Sequence, residues 1–242
     1  MRDSELSNIR QHIRGPYRAL MLFGSYARGD QSPTSDIDIL QVADAGGRSY
    51  RTGKVAVAVY SLARLREMAR EGSLFILHLI CDGKILDDPY ECFRPAFAEY
   101  VRPSNYLRLR SELSIALKLL DVTDAFYADH ARELNQVASF IFRTVVYAKQ
   151  AEVGRPCFSL RVAARQLPNV PVGATDIHAH AAPVLACYRA IQSWLAAELG
   201  VSADNECGSI EALLVRHHAS SSMVIQLGIK ILSHGTEEVN YA

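Results

Sequence analysis

The chain has 242 residues, of which 49% are hydrophobic, and its 26 basic residues balance its 26 acidic ones. This length suits one large domain or two small ones, and the apolar fraction is sufficient for a buried core, which excludes a mainly disordered chain. The neutral balance argues against a protein that coats nucleic acid, although it is compatible with a local basic surface.

Cysteine usage and hydropathy indicate the compartment. The five cysteines are scattered, and no two of them have the close spacing of a zinc site. The first ten residues are polar, and no apolar run reaches the roughly 20 residues that a membrane-spanning helix requires. We therefore expect a soluble protein of the reducing cytoplasm.

The first hundred residues alternate between strand and helix signals. The patterns predict an amphipathic helix over residues 4–14, a buried strand over 18–23 and, after Gly24, a short helix. Residues 36–42 and 55–60 are predicted strands, and apolar residues recur with a period of two in the second of them.

The next segment completes a small α/β domain. Ser61 is predicted to cap a helix that ends near Arg70, residues 73–80 are apolar but ambiguous, and residues 83–86 could add an edge strand. Residues 1–100 are thus predicted to form an α/β (α+β) domain, a small mixed sheet with helices on one side.

Beyond residue 100 the pattern is helical. Helices are predicted over residues 105–120, 124–153, 176–199 and 209–233. We therefore place a domain boundary near residue 100 and expect residues 101–242 to form an all-α bundle for substrate binding or assembly, as a homo-oligomer or with a partner protein. Its first part, residues 101–165, contains 10 basic and 6 acidic residues, which could face an anionic ligand or be solvated helix surface.

Two neighbouring motifs carry the clearest chemical meaning, Gly24-Ser25-Tyr26-Ala27-Arg28-Gly29-Asp30 and Ser35-Asp36-Ile37-Asp38. Gly24 lets the backbone turn sharply and approach a phosphate without a Cβ atom in the way. Ser25 adds a hydroxyl at a predicted helix start, where N–H groups attract anions.

Asp36 and Asp38 are two residues apart on a predicted strand, so their side chains leave the same face. Their Cα atoms are then about 6.6 Å apart, from a rise of roughly 3.3 Å per residue. Carboxylates at this separation can share metal ions about 3.5–4 Å apart, the spacing used for nucleotidyl transfer. Magnesium prefers a few carboxylates, with phosphate and water completing its shell.

This pattern resembles that of the DNA polymerase β-like nucleotidyltransferase superfamily, in particular its small bacterial members. The resemblance covers about residues 18–60. It implies that Asp36 and Asp38 are catalytic and bind two magnesium ions, and that Arg28 touches phosphate or forms a structural salt bridge. The nucleotide-binding residues it implies are Gly24, Ser25, Arg28 and Ser35.

The implied reaction transfers a nucleoside monophosphate from a nucleoside triphosphate to an acceptor hydroxyl and releases pyrophosphate. The acceptor could be a small molecule, a protein tyrosine or serine, or an RNA 3′ end. A non-catalytic nucleotide sensor that regulates a partner protein is the alternative.

One position departs from the family pattern. Active members usually place a third carboxylate on the neighbouring strand, here residues 55–60. The valines of that strand form one face, so its other face should lie beside Asp36 and Asp38, and it carries only Ala56, Ala58 and Tyr60. We expect the missing acid at Ala56 or Ala58, and of the two positions we favour Ala56.

Three explanations for Ala56 stay open. The alanine could be a substitution introduced into an active enzyme, or the natural site could bind nucleotide with little or no turnover. An acid from elsewhere could also complete the site, and the candidates are Glu67, Asp82, Asp87 and Asp88.

Overall fold

The computed structural model describes residues 9–33 and 35–233. The chain divides into two compact units between Ser104 and Asn105. Residues 4–8 of the helix predicted at the N-terminus lie outside the described residues. In the described part of the chain, no helix combines the length and the apolar character needed to cross a membrane.

A five-stranded mixed sheet forms the centre of the first unit, and this confirms the predicted fold class. Its strands are β1 (Ala19–Phe23), β2 (Ile37–Ala43), β3 (Tyr50–Thr52), β4 (Val55–Ser61) and β5 (Lys84–Asp87). Their order is β3-β4-β2-β1-β5, with β2 and β4 parallel and the other neighbouring pairs antiparallel. The short strand β3 was not among the predicted elements.

The helices of this unit are α1 (Gly24–Arg28), α2 (Leu62–Arg70), α3 (Leu74–Asp82) and α4 (Phe93–Ala98). As predicted, Ser61 caps α2, and its Oγ accepts a hydrogen bond from the N–H of Arg64 at 3.1 Å. The ambiguous apolar segment is α3.

Both faces of the sheet are buried. Residues from α2, α3 and α4 pack against Leu40 and Tyr60 on one face. The valines of β4 pack on the other face with Ile39, the N-terminal segment around Ile9, and Ala27 of α1. The expectation of helices on one side therefore holds for α2 to α4 but not for α1.

A buried polar network ties the N-terminal segment to the sheet. Gln41 on β2 is only 2% exposed. Its amide donates to the carbonyl of Arg14 and its Oε1 accepts from the hydroxyl of Tyr50, each at 2.9 Å. The same hydroxyl accepts a hydrogen bond from the N–H of Arg14 at 2.7 Å. Each of the three residues is therefore hydrogen-bonded to the other two.

The second unit is helical, and its α-helices are α5 (Leu107–Leu117), α6 (Asp124–Asp129), α7 (Ala131–Glu152), α8 (Leu160–Ala164), α9 (Leu185–Leu199), α10 (Ile210–His217) and α11 (Ser222–Leu232). The helix predicted over residues 124–153 is divided at His130, and the one predicted over 209–233 restarts where Ser221 caps α11. The helix predicted over 176–199 begins only at Leu185.

Part of the basic stretch over residues 101–165 is paired with acidic side chains of the same unit. The ion pairs join Arg108 to Glu112, Arg110 to Glu152, Lys149 to Glu198 and Arg161 to Asp176. Glu198 and Asp176 lie outside the stretch, so they balance part of its excess of positive charge.

We predict that Gln41→Leu will lower the free energy of unfolding by about 1–3 kcal/mol, because the carbonyl of Arg14 and the half-buried Tyr50 hydroxyl each lose a partner. Urea unfolding followed by circular dichroism measures this loss. Tyr50→Phe is the milder control, since Gln41 keeps its bond to Arg14. Equal stability of Gln41→Leu and the unaltered chain would contradict a stabilising role for the network.

Candidate active site

The first motif forms a tight turn and one short helix. β1 ends at Phe23, and Gly24 starts α1 with a φ of +71°, a conformation that favours glycine. Gly29 ends α1 with a φ of 84°, and its N–H donates to the carbonyl of Ser25 at 2.8 Å. The sequence Gly-Ser-Tyr-Ala-Arg-Gly is thus a five-residue helix between two glycines.

The turn at Gly24 lies directly against the second motif. Phe23 is the register partner of Asp38 in the antiparallel pair of β1 and β2. A Cβ atom added to Gly24 would lie 2.5 Å from Oδ2 of Asp38. Glycine is therefore required here both for its backbone conformation and for the close approach of a carboxylate.

The two aspartates stand at the start of β2. Asp38 is on the strand, whereas Asp36 precedes its first residue, so the strand begins one residue later than predicted. Oδ1 of Asp36 lies 2.5 Å from Nη1 of Arg51, and the Asp36 side chain is 43% exposed. One carboxylate of the motif thus has a cationic partner in the unliganded protein.

The neighbouring strand places a methyl group beside the aspartates. Ala56 on β4 is the register partner of Asp38 on β2. Directly opposed residues on neighbouring strands point to the same face, so Ala56 and Asp38 share a face of the sheet. Position 56, where the family pattern predicts an acid, is next to Asp38 in space and is uncharged.

Arg28 is held in an ion cluster behind α1. Its Nη1 donates to Asp82 at 2.8 Å and its Nε lies 3.2 Å from Asp30. Nε2 of His78 lies 3.3 Å from Oδ2 of Asp82. The family resemblance left two roles open for Arg28, phosphate contact or a structural salt bridge, and Arg28 forms an ion pair with Asp82.

Burial and hydrogen bonding shift the pKa values of Asp82 and Arg28 in opposite directions. Burial alone would raise the pKa of Asp82, but hydrogen bonds from His78 and Arg28 lower it below its usual range. Burial disfavours the charged form of Arg28, yet its bonds to Asp82 and Asp30 raise its pKa. Both groups are therefore stabilised in their charged forms.

The other candidate acids also have partners away from Ala56. Glu67 binds Arg64 on α2 at 2.7 Å. Asp87 accepts from the Tyr17 hydroxyl at 2.9 Å, and Asp88 caps α4 by accepting from the N–H of Cys92 at 2.7 Å. A borrowed carboxylate thus receives little support from the structure.

Ser35 has a local role. Its Oγ accepts a hydrogen bond from the N–H of Ser32 at 2.8 Å and lies 3.0 Å from the Ser32 hydroxyl. Ser35 is thus hydrogen-bonded to Ser32 just before Asp36 and the start of β2.

Sequence similarity agrees with this geometry. Residues 4–74 match the sequence family described as nucleotidyltransferase domain. This part of the chain is therefore similar to nucleotidyltransferase domains. Over 36 residues the chain is also 53% identical to a protein of Methanocaldococcus jannaschii named "Putative protein adenylyltransferase". That match covers 15% of this chain and 36% of the relative, so the chain spans about a third of the length of the curated protein it matches.

A nucleotidyltransferase domain implies a nucleoside triphosphate and typically a divalent metal ion. Asp36 and Asp38 supply the hard oxygen ligands that magnesium prefers, and Gly24 leaves room for the Asp38 carboxylate. Within the described ranges, no group of three or more His, Cys, Asp or Glu side chains could hold a metal ion. Two carboxylates would leave the rest of a magnesium shell to phosphate and water.

Sequence reasoning missed Arg51 as a site residue. It lies on β3, whose three residues are too few for a clear periodic signal. The signal that was available is Tyr50-Arg51-Thr52 followed by Gly53, a strand triplet before a tight turn that leads into β4.

We predict that Gly24→Ala will weaken triphosphate binding by the nucleotidyltransferase domain at least about tenfold, because the new methyl group collides with the Asp38 carboxylate. Gly15→Ala is the matched control. Gly15 has a φ of +70°, but an added Cβ there meets nothing within 4 Å. Both variants should lose stability from the left-handed backbone, and only Gly24→Ala should lose binding in calorimetric titration.

We also predict a pH-dependent stability contribution from Asp82. Its pKa is lowered in the fold, so the contribution is complete above the unfolded value of about 3.9 and is lost as the pH falls through the folded value. Asp82→Asn should cost about 1–3 kcal/mol near pH 7 and progressively less as the pH falls below about 3.9. Melting temperatures across that range test this.

Glu67→Gln serves as the control, because Glu67 and Arg64 form an exposed pair that should contribute little at either pH. The difference in melting temperature between Asp82→Asn and the unaltered chain should shrink between pH 7 and pH 3. A constant difference would show that the Asp82 charge does not stabilise the fold.

Proposed function

We propose that this protein transfers a nucleoside monophosphate from a nucleoside triphosphate to an acceptor hydroxyl and releases pyrophosphate. The observation that carries the proposal is the close approach of Gly24 to Oδ2 of Asp38. It joins a turn suited to phosphate with a carboxylate suited to a metal ion. This adjacency is what a reaction on a metal-bound triphosphate requires.

Four residues take direct roles in the proposed reaction. The backbone at Gly24 and the hydroxyl of Ser25 bind triphosphate oxygens, and Asp36 and Asp38 hold magnesium. The resemblance implies two such ions. When bound, magnesium neutralises phosphate charge at the reacting centre. Arg28 and Ser35 act indirectly, because their partners within the domain hold α1 and the turn before β2 in place.

Deprotonation of the acceptor is the weak point of this site. Position 56 offers a methyl group where a carboxylate could take the proton from the attacking hydroxyl. Loss of a general base typically costs about 10² to 10⁴ in rate. Turnover should therefore be slow, with the proton leaving to solvent.

Among acceptors, a protein side-chain hydroxyl is favoured and ATP is the favoured donor. The similar archaeal protein is named as a protein adenylyltransferase, although the shared segment is short. An RNA 3′ end is less favoured, because Arg110, Lys149 and Arg161 of the helical unit are paired with acids. A small-molecule acceptor is the third candidate.

The alternative is a nucleotide sensor that binds triphosphate and regulates a partner protein without turnover. The observation that favours it is Ala56 beside Asp38, because a binding site does not need a base. The two functions differ in whether pyrophosphate is released.

We predict that incubation with α-labelled ATP, magnesium and cell extract will label a protein acceptor and release pyrophosphate. Asp38→Asn should reduce labelling about 100-fold or more, because it removes a metal ligand. Asp44→Asn is the matched control, since Asp44 lies just beyond the opposite end of β2 with a side chain that is 69% exposed. Gel electrophoresis with nuclease and protease digestion identifies the acceptor class.

The labelling result distinguishes the candidate acceptors and the sensor from one another. Label that resists protease but not nuclease would assign an RNA acceptor. Binding of ATP without any labelled product or pyrophosphate would favour the sensor. Equal labelling by Asp38→Asn and the unaltered chain would remove the site assignment itself.

A further inference from the structure

Three register partners form a row across one face of the sheet. Arg51 on β3 pairs with Ala56 on β4, and Ala56 pairs with Asp38 on β2. Neighbouring strands are about 4.8 Å apart, so the row spans about 10 Å. An arginine, a methyl group and a carboxylate thus stand side by side on the face that contains the candidate site.

The arginine of this row reaches one of the two aspartates. Nη1 of Arg51 lies 2.5 Å from Oδ1 of Asp36. A carboxylate at position 56 would stand directly beside Arg51. Ala56 places no carboxylate there, so the site combines a cation at position 51 with an uncharged residue at position 56.

The pair between Arg51 and Asp36 is open to exchange. The two side chains are 46% and 43% exposed. Exposed ion pairs of this kind are weak, so Arg51 can leave Asp36 for a stronger ligand. A triphosphate is such a ligand, because a guanidinium binds phosphate oxygens with two parallel hydrogen bonds.

Arg51 changes the net charge of the site and therefore the number of metal ions that are needed to balance it. Three carboxylates with two divalent ions leave one net positive charge to meet the triphosphate. Two aspartates with Arg51 leave one net negative charge, and a single divalent ion converts it to the same net positive charge. The second ion is then no longer needed for charge neutralisation.

We infer that Arg51 contacts the phosphates in place of one metal ion, so that this chain binds a nucleoside triphosphate with a single divalent ion. The inference rests on the proposed triphosphate site and departs from the two ions that the resemblance implies.

The number of bound ions tests this directly. Equilibrium dialysis is carried out with Mn²⁺ and α,β-methylene ATP, in which carbon replaces the oxygen of the bond that transfer would break. The unaltered chain should bind one Mn²⁺ with the analogue. Ala56→Asp should still bind one, because the new carboxylate pairs with Arg51. The double variant Ala56→Asp with Arg51→Gln should bind two.

Analogue affinity gives a second measurement that does not depend on the double variant. Arg51→Gln should weaken analogue binding about tenfold or more at saturating Mn²⁺, because a charge-assisted contact is lost. Arg51→Lys keeps the charge and should lose less. Arg48→Gln is the matched control, an exposed arginine three residues earlier, and should bind like the unaltered chain.

Each result decides a different point. Two Mn²⁺ ions on the unaltered chain, or unchanged affinity in Arg51→Gln, would overturn the inference while the proposed function stands. Failure of the unaltered chain to bind the analogue would overturn both. If circular dichroism shows that the double variant does not fold, the affinities of the single variants decide the matter.

Discussion

Hydrogen bonds between the parallel strands β2 and β4 set Asp38 beside Ala56, and the other site residues are placed relative to this register. β3 adds to the far side of β4 and brings Arg51 into the same row. β1 adds to the other side of β2 and brings the turn at Gly24 against the Asp38 carboxylate. A shift of β4 by one residue would turn Ala56 to the opposite face and bring a valine next to Asp38.

Local signals in the sequence were sufficient for most of the sheet and for the motif. Apolar and alternating residues predicted β1, β2 and β4, Ser61 predicted the start of α2, and Gly24 predicted the turn before α1. These features depend on neighbours a few residues away. The resemblance drawn from the same residues was confirmed by the family match over residues 4–74.

What the sequence did not reveal depends on partners distant along the chain. Arg28 meets Asp82, 54 positions later, so this ion-pair partner could not be identified from the motif. The interruption at His130 lies within a stretch whose apolar period continues through it, and periodicity alone reports no break there. The basic residues of the helical unit find acids such as Glu198 only after folding. In each case a contact between residues distant along the chain determined a feature that the local sequence pattern could not predict.

The connection between β3 and β4 has a consequence for the order of folding. Thr52 pairs with Val55, so a two-residue turn joins the strands and their contacts are local. Hairpins of this kind form in roughly 1–10 µs, whereas β2 must close a longer loop to reach β4. We therefore expect Arg51 to be in position before Asp36 and Asp38 arrive. The aspartates then dock beside a cation, which reduces their mutual repulsion while the sheet assembles.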